Sequence, residues 1–256
     1  MTVVLHDHIA SLEAMRKYPK ALYYRGNLQL LNSVKLSIVG SRRPNPYTQQ
    51  MTQQIASRLA VAGVCIVSGG AMGVDGIAHT AAGAGKTIAV LGCGLDIRYP
   101  AVNASLLVSI EKEGLLLSPF KDGFKTTNWS FVVRNEIVVA LGEALIVTQA
   151  DVNSGSMRSV EYALKMGKKI YVIPHRAGES EGTNRLLAEG KAEAIYDIDA
   201  FVSQYGEAAR CADDPFLEFC RSNPTYEEAV RSYPQEVFQY ELEGKITVTA
   251  GKIAVL

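Results

Sequence analysis

The segment Lys35–Arg43, with the sequence KLSIVGSRR, decides the fold, because a short apolar run passes directly into a loop of Gly, Ser and Arg. The same order occurs in Cys65–Ala71 (CIVSGGA) and in Leu145–Ser156 (LIVTQADVNSGS). After each loop, apolar residues return at three- and four-residue spacing, which is typical of a helix. A strand-to-helix loop of this composition presents unpaired backbone N–H groups at a helix N-terminus, where the helix dipole favours an anion. Three such loops predict that the protein binds several phosphates.

Short β-type runs alternate with helix-length segments along most of the chain. We expect strands at Leu36–Val39, Val64–Val67, Thr87–Leu91, Leu115–Leu117, Ala144–Thr148, Lys169–Ile173 and Ala194–Tyr196. The expected helices are Thr48–Ala62, Val74–Gly83, Val102–Glu113, Arg134–Leu141, Ser156–Met166 and Thr183–Glu189. This alternation predicts an α/β fold, a parallel sheet with helices on both faces. The ligand crevice of such a sheet lies outside the carboxyl ends of its strands, where the three loops are expected.

Charge and pattern separate the last fifty residues from the rest. Residues 207–256 carry five basic and nine acidic side chains, whereas residues 1–206 have a net charge of +4. Helices expected at Asp214–Ser222 and Tyr226–Glu243, followed by a hairpin of Lys245–Val248 and Ile253–Leu256, suggest a winged-helix-like module. We therefore expect a main domain at 1–206 and a small C-terminal domain at 207–256. The positive excess of the main domain permits a nucleic-acid surface.

Composition excludes several classes of protein. No apolar run approaches the roughly 20 residues of a membrane span, and the first ten residues lack the pattern of a secretory signal. The four cysteines form no C-x-x-C pair and the four histidines are scattered, so neither a disulfide framework nor a zinc site is expected. We expect a cytoplasmic protein with no metal and no cofactor.

Two glycine-rich segments resemble nucleotide-binding motifs but fail on order or spacing. Gly83–Thr87 (GAGKT) has Thr80 where a P-loop needs its first glycine, and it follows a helix instead of a strand, which favours a helix C-cap. Gly92–Asp96 (GCGLD) lacks the third glycine of a dinucleotide fingerprint. We interpret it as a tight turn through which Asp96, Arg98 and Tyr99 rim the crevice. Asp75 and His79, four residues apart, form either an acid–base pair or, by default, a structural pair.

The candidate binding residues lie in the three loops and in one aromatic, basic stretch. In the first loop Arg42 offers a planar fork of donors suited to phosphate oxygens, and the second loop suits backbone donation. In Phe120–Asn135, aromatic rings alternate with cations, as stacking on bases and contact with a phosphate backbone require. The predicted site residues are Gly40, Ser41, Arg42, Ser68, Gly69, Gly70, Lys121, Lys125, Trp129, Phe131, Arg134, Asn135, Ser154 and Gly155.

Taken in order, motifs spread over about 180 residues resemble the DprA (Smf) family of bacterial DNA-processing proteins. They are Leu22–Asn27 (LYYRGN), Ile38–Arg42 (IVGSR), Ser68–Asp75 (SGGAMGVD), Ala89–Asp96 (AVLGCGLD), Arg134-Asn135 and Gly182–Asn184 (GTN). The resemblance implies an extended Rossmann-like domain with no catalytic activity that acts as a homodimer. It implies binding of single-stranded DNA, protection of incoming transforming DNA and loading of the RecA recombinase during natural transformation. Duplex DNA stays open as a second ligand.

The chain also departs from the family pattern. Val132 stands where the family usually has a proline, and Glu136 stands where it frequently has a basic residue. Glu136 is therefore expected to weaken the positive field of the pocket. An alternative function is hydrolysis of a nucleotide or nucleoside phosphate on a related sheet, with Asp75, His79 or Glu161 as acid–base residues. That alternative lacks the Pro-Gly-Gly-x-Gly-Thr loop of such enzymes.

Overall fold

The computed structural model describes residues 2–206, 216, 219–220, 224–242, 246–249 and 251–255 of the 256. The chain divides into two compact units, residues 1–208 and 209–256. None of the helices in the described ranges has both the length and the apolar composition needed to cross a membrane. The division into domains at residue 206 stays a prediction.

The first unit is built on a nine-stranded, mostly parallel sheet. Its strands are β1 Val3–Val4, β2 Tyr23–Gly26, β3 Lys35–Val39, β4 Cys65–Ser68, β5 Thr87–Val90, β6 Leu115–Ser118, β7 Ala144–Val147, β8 Lys169–Val172 and β9 Glu193–Ala194. Their spatial order is β1-β2-β6-β5-β4-β3-β7-β8-β9. Of these nine strands only β2 runs opposite to the others, and it pairs antiparallel with β1 on one side and with β6 on the other. The sequence patterns predicted the seven parallel strands but not this antiparallel edge.

Seven helices of the first unit cover the sheet. They are α1 Pro46–Val61, α2 Val74–Ala82, α3 Ala104–Glu113, α4 Asn128–Leu141, α5 Gly155–Lys165, α6 Glu181–Ala188 and α7 Ile198–Val202. Alternate strand residues enter different cores, so Leu36 and Ile38 pack with α1 and α2, whereas Leu145 and Val147 pack with α4 and α5. Burial on both faces explains why the parallel strands are continuously apolar. This is the α/β architecture with helices on both faces that the sequence predicted.

The strand order has a switch point between β3 and β7. From β3 the chain proceeds outward through β4, β5 and β6, then returns to place β7 on the other side of β3. The loops after β3 and β7 therefore diverge and leave a crevice at the carboxyl ends of these two strands. Gly40–Arg42 and the residues leading to the N-terminus of α5 border this crevice. Two of the three loops singled out in the sequence thus meet at one point.

The described residues of the second unit form helices followed by a two-stranded antiparallel sheet. The helices are Tyr226–Ser232 and Pro234–Leu242, and Ile246–Thr249 pairs with Lys252–Val255. A small apolar core contains Phe216, Cys220, Ala229, Val237, Ile246 and Ile253. This order of elements is the basis of the winged-helix-like interpretation, which stays a prediction. Most of the expected helix Asp214–Ser222, and the linker beyond residue 206, lie outside the described residues.

Candidate nucleic-acid interface

A cavity of about 590 Å³ lies at the switch point. Its walls are the loop after β3, the loop after β4, one side of α4 and the N-terminus of α5. Nine of the predicted site residues line it, namely Gly40, Ser41, Arg42, Gly69, Phe131, Arg134, Asn135, Ser154 and Gly155. The fold therefore brings together residues that are more than 110 positions apart in the sequence.

Arg134 is the buried cation of this cavity. The residue is 4% exposed, and its Nη1 atom lies 3.6 Å from Oδ2 of Asp75. Its Nε atom is buried and has no hydrogen-bond partner among the described residues. A buried guanidinium normally satisfies its five N–H donors. Arg134 instead lines the cavity with donor capacity left over, as an anion-binding side chain does.

Gly69 makes room for this guanidinium. A Cβ atom built on Gly69 would lie 1.1 Å from Nη1 of Arg134 and 2.8 Å from Oδ2 of Asp75. The guanidinium therefore rests directly on the backbone of the loop after β4. Any side chain at position 69 would displace it.

The backbone N–H groups of the loop after β4 point into the protein. The N–H groups of Gly69 and Ala71 donate to Oδ2 of Asp75, at 3.2 and 3.3 Å, and that of Gly70 donates to Nε2 of His79 at 3.2 Å. The expected donation from this loop to a phosphate is therefore wrong, because its donors already have buried partners. Ser68 is fully buried and its hydroxyl donates to the carbonyl of Ile38, so it cannot contact a ligand as predicted.

Asp75 and His79 on α2 hold this loop in place, which agrees with the structural interpretation of the pair. His79 accepts from Gly70 at Nε2, and its Nδ1–H donates to the hydroxyl of Thr87 at 2.7 Å, since that hydroxyl donates to Ile66. Burial, followed by the charge of Arg134, lowers the pKa of His79 to about 3. Burial raises the pKa of Asp75, against the opposing effects of Arg134 and the loop hydrogen bonds. Both side chains are engaged in contacts within the protein.

Arg42 and Phe131 form the outer part of the site. The Arg42 guanidinium lies 5.5 Å from the centre of the Phe131 ring, and that of Arg134 lies 5.8 Å from it. Arg42 is exposed, and no ion pair involves its side chain within the described residues. Two cations next to one aromatic ring provide contacts for a phosphate and for a base.

The N-terminus of α5 faces the same cavity. Ser154 is its N-cap residue, yet the hydroxyl caps no backbone N–H, and this buried oxygen has no partner among the described residues. Ser156 is oriented by a hydrogen bond from its hydroxyl to the carbonyl of Gly40 at 2.9 Å. The first N–H groups of an eleven-residue helix therefore lie beside the Arg134 guanidinium, and both attract anions.

Helix α4 begins six residues earlier than expected, and this places the aromatic residues of the site on a helix. Thr127 caps it, because its hydroxyl accepts from the Ser130 N–H and the Ser130 hydroxyl accepts from the Thr127 N–H. This start was missed because Trp129 and Phe131 were assigned to an aromatic, basic stretch ahead of the helix. Since Phe131, Arg134 and Asn135 are three and four residues apart, they share one side of the helix.

Besides Ser68, four predicted residues do not line the cavity. Lys121 and Lys125 are exposed in the loop before α4, and neither lines a cavity that contains Arg134. Trp129 is 61% exposed and packs its ring edge-on against Phe120 at 5.6 Å. Gly70 lies on the opposite side of Phe131, in a smaller cavity of about 20 Å³.

Two further expectations about charged residues are wrong. Glu136 does not face the crevice, because its carboxylate accepts the backbone N–H of Arg16 at 3.0 Å on the other side of α4. Asp96 and Arg98 do not rim the crevice, since Asp96 accepts from Gly123 and Arg98 pairs with Glu111. Of the trio expected there, Tyr99 alone lines a cavity with Arg134.

Apart from Asp75, the predicted site residues omit five polar residues of the cavity wall, namely Asn128, Asp151, Ser156, Arg158 and Ser159. Arg158 could have been found, because it lies one turn after the third loop, on the same helix N-terminus. No cluster of three or more His, Cys, Asp or Glu side chains suited to a metal ion occurs in the described part of the chain.

The chain is similar to known DNA-processing proteins. The model of the family described as DNA recombination-mediator protein A matches residues 2–206. DNA processing protein DprA of Streptococcus pneumoniae is 38% identical over 176 residues, which cover 67% of this chain and 62% of that protein. Protein Smf of Escherichia coli is 37% identical over 184 residues, which cover 70% and 49%. The matched part therefore spans about half to two thirds of these relatives.

Two solved structures share the fold of the first unit. DNA processing protein A of Helicobacter pylori, whose structure was described for its single-stranded DNA binding mode, superposes with a TM-score of 0.78 at 40% identity. That match covers 80% of this chain and 95% of the other. DprA of Streptococcus pneumoniae gives a TM-score of 0.74 at 33% identity and covers 80% and 74%. With its family model matched along almost the whole first unit, the chain belongs to the family of DNA recombination-mediator protein A, the DprA/Smf proteins.

Proposed function

We propose that the first unit binds single-stranded DNA in the switch-point cavity. The observation that carries the proposal is the buried Arg134 guanidinium, whose Nε has no partner among the described residues and whose Nη1 lies 3.6 Å from the Asp75 carboxylate. A phosphate oxygen would supply the missing acceptor. The Helicobacter pylori relative, described as binding single-stranded DNA, supports the choice of ligand.

Each part of the cavity has a role in this proposal. Arg134 and the N-terminus of α5 bind one backbone phosphate, and Arg42 binds the next. Phe131 stacks on a base. The remaining predicted contacts of the cavity wall, which shape it around the backbone, are Gly40, Ser41, Gly69, Asn135, Ser154 and Gly155. Because these contacts involve phosphates and the face of a base, binding is expected to depend little on sequence.

The wider role is the one that the family description suggests. We propose that the protein protects incoming single strands during natural transformation, acts as a homodimer in the cytoplasm and helps to load RecA. Light scattering of the purified protein tests the dimer. The rate of RecA filament formation on protein-coated oligo-dT, with and without this protein, tests the loading.

A binding role without catalysis agrees with the positions of the candidate acid–base residues. Asp75 and His79 accept hydrogen bonds from the loop after β4, and Glu161 lines a separate groove with Glu136 and Lys165. The alternative function as a hydrolase predicts release of a base from nucleoside monophosphates. Incubation of the protein with these nucleotides and chromatography of the products would reveal it.

The central experiment is a titration of fluorescent oligo-dT, and of the matching duplex, at two salt concentrations. Arg42→Ala should weaken binding of the single strand by about 1.5–3 kcal/mol, as expected for a charge-assisted hydrogen bond. It should also reduce the slope of log K against log salt by about 0.7, the value for one phosphate contact on a single strand. Arg43→Ala is the matched control, because Arg43 is equally exposed but lines neither cavity. Equal effects of the two substitutions would remove Arg42 from the site.

A further inference from the structure

One surface outside both cavities combines an exposed aromatic ring with cations. Trp129 lies in the first turn of α4, is 61% exposed and lines neither cavity. Lys121 and Lys125 are exposed in the loop before this helix. Each lysine directly follows one of the two phenylalanines that support Trp129, namely Phe120 and Phe124. We refer to Trp129, Lys121 and Lys125 as the outer patch.

The ring of Trp129 is held in place by these phenylalanines. It meets Phe120 edge-on with ring centres 5.6 Å apart, and Phe120 stacks on Phe124 at 4.2 Å with planes inclined by 9°. The loop that carries them is fastened as well, because the N–H of Gly94 donates to the carbonyl of Phe124 at 2.9 Å. A group that stacks on Trp129 therefore has to order little of the protein.

The lysines of the outer patch are available to an anion. Neither Lys121 nor Lys125 forms an ion pair within the described residues. The acidic residue of the same loop, Asp122, already has partners, since its carboxylate lies 3.4 Å from Arg25 and accepts the hydroxyl of Thr2 at 2.9 Å. The patch thus presents two uncompensated positive charges next to an exposed ring.

The outer patch adjoins the DNA-binding cavity. Asn128, next to Trp129 in the chain, lines the main cavity, and Thr126, next to Lys125, lines the smaller one. Neighbouring Cα atoms are about 3.8 Å apart, and stacked nucleotides of a strand rise by about 3.4 Å each. A strand that leaves the main cavity past Asn128 therefore reaches Trp129 within a few nucleotides.

We propose that the outer patch binds the part of a DNA strand that flanks the cavity, with one base on Trp129 and backbone phosphates on Lys121 and Lys125. This inference rests on the proposed function and extends the site by nucleotides that lie outside the switch-point cavity. An exposed ring with neighbouring cations suits an unpaired strand, because stacking and counterion release both favour binding whatever the base sequence.

Trp129 is the only tryptophan of the chain, so its fluorescence reports on this surface alone. The experiment titrates the protein with labelled oligo-dT of about five nucleotides, enough for the cavity, and of about 15 nucleotides, enough to reach beyond it. The long strand should quench the fluorescence of Trp129 by stacking on its ring. The short strand should bind, as measured by the anisotropy of its label, and leave the fluorescence nearly unchanged.

Substitutions separate stacking from charge. Trp129→Ala should reduce affinity for the long strand by at least about fivefold, which corresponds to the lower limit of base stacking, and affinity for the short strand by less than about twofold. Trp129→Phe keeps a ring and should retain most of the affinity. Lys121→Ala combined with Lys125→Ala should lower the slope of log K against log salt by about 1.4 for the long strand, at about 0.7 per phosphate contact, and leave the slope for the short strand unchanged.

The matched control for the lost charge is the pair Lys20→Ala and Lys112→Ala. Both lysines are exposed, neither forms an ion pair in the described part of the chain, and neither lines a cavity that contains Arg42. This pair should leave the affinity for both strands unchanged. An equal effect of the two lysine pairs would remove Lys121 and Lys125 from the patch. Thermal melting of each variant reports on its fold.

The outcomes distinguish the outer patch from the proposed function. If the long strand binds without quenching Trp129, or if Trp129→Ala weakens both strands equally, the patch is refuted while binding in the cavity stands. If the short strand quenches Trp129 as fully as the long one, no flanking nucleotide is involved and the patch is refuted as well. If the protein binds neither strand, the proposed function and the patch fail together.

Discussion

Substitution of Gly69 by alanine tests how the cavity holds its buried cation. The backbone of Gly69 does not adopt a positive φ, so alanine is compatible with its conformation. The added methyl would lie 1.1 Å from Nη1 and 2.3 Å from Cζ of Arg134, which leaves the guanidinium no room. We expect Gly69→Ala to expel Arg134 from its position against Asp75, although the substitution alters no charge.

The expected magnitudes follow from the contacts that are lost. Loss of a charge-assisted hydrogen bond to a phosphate costs about 1.5–3 kcal/mol, or about 10- to 150-fold in affinity for oligo-dT. Removal of one partner from a buried ion pair destabilises a protein by about 3–5 kcal/mol. The entropic gain of replacing glycine by alanine, about 0.4–1 kcal/mol, offsets part of this. We therefore expect a net loss of about 2–4 kcal/mol in the free energy of unfolding.

The assay is a double-mutant cycle with Arg134→Ala, read by anisotropy of labelled oligo-dT and by urea unfolding. Once the guanidinium is absent, Gly69→Ala should cost much less than in the wild type on either measure, because the closest remaining contact of the added Cβ is Oδ2 of Asp75 at 2.8 Å. Gly85→Ala is the control for stability, because a Cβ there meets its nearest neighbour at 3.8 Å. Additive effects of Gly69→Ala and Arg134→Ala would refute the steric argument, and normal DNA binding by Gly69→Ala would refute the role of Arg134.

Two further predictions concern charge. His79 stays neutral in the folded protein because its pKa is about 3, whereas in the unfolded chain it is protonated below about pH 6.5, so acid favours unfolding. Between pH 6.5 and 5.5 the free energy of unfolding, measured in urea, should therefore fall by roughly 1 kcal/mol more in the wild type than in His79→Gln. An equal pH dependence of the two proteins would contradict this. Glu136→Gln should leave affinity for oligo-dT unchanged at low salt because Glu136 faces Arg16, whereas Asp151→Asn, on the cavity wall, should increase it.

The position of the site could be predicted from the sequence alone. Continuous apolar runs such as Ala144–Val147 indicate strands buried on both faces, and parallel strands place their carboxyl ends at one edge. A glycine-rich loop that follows such a run is therefore expected at this edge of the sheet. For this reason Arg42 and the Ser154-Gly155 loop, over 100 residues apart, could be assigned to one crevice before any contact was seen.

The direction of the N–H groups in the loop after β4 could not be predicted in this way. The composition of Ser68–Ala71 suits donation to a phosphate, but the outcome depends on which acceptors lie nearest. Asp75 and His79 reach back from α2 and accept all three N–H groups of Gly69, Gly70 and Ala71. Whether these N–H groups donate to a ligand or to acceptors within the protein depends on tertiary packing, and the glycine content of the loop does not predict it.

The extent of α4 shows a second limit of pattern reading. A helix starting at Arg134 was expected, while the actual start is set by the capping pair Thr127 and Ser130. With the helix extended to Asn128, Trp129 turns toward Phe120 and away from Phe131. One basic and aromatic stretch in the sequence thus becomes two separate surfaces.

The hydrogen bonds of the loop after β4 suggest why a buried arginine is needed for anion binding at this site. A glycine-rich loop can bind an anion through its N–H groups, but the N–H groups of this loop are already donated to Asp75 and His79. The loop N–H groups stabilise the carboxylate form of Asp75, and Asp75 in turn holds a guanidinium that folding has already removed from water. Burial, followed by the charge of Arg42, lowers the pKa of Arg134, against the opposing charge of Asp75. A phosphate that enters the cavity meets a cation with unused donors, so little further desolvation of the protein opposes binding. Lysine could not replace this arrangement, because a single ammonium cannot both lie flat on Gly69 and present donors to Asp75 and to a phosphate.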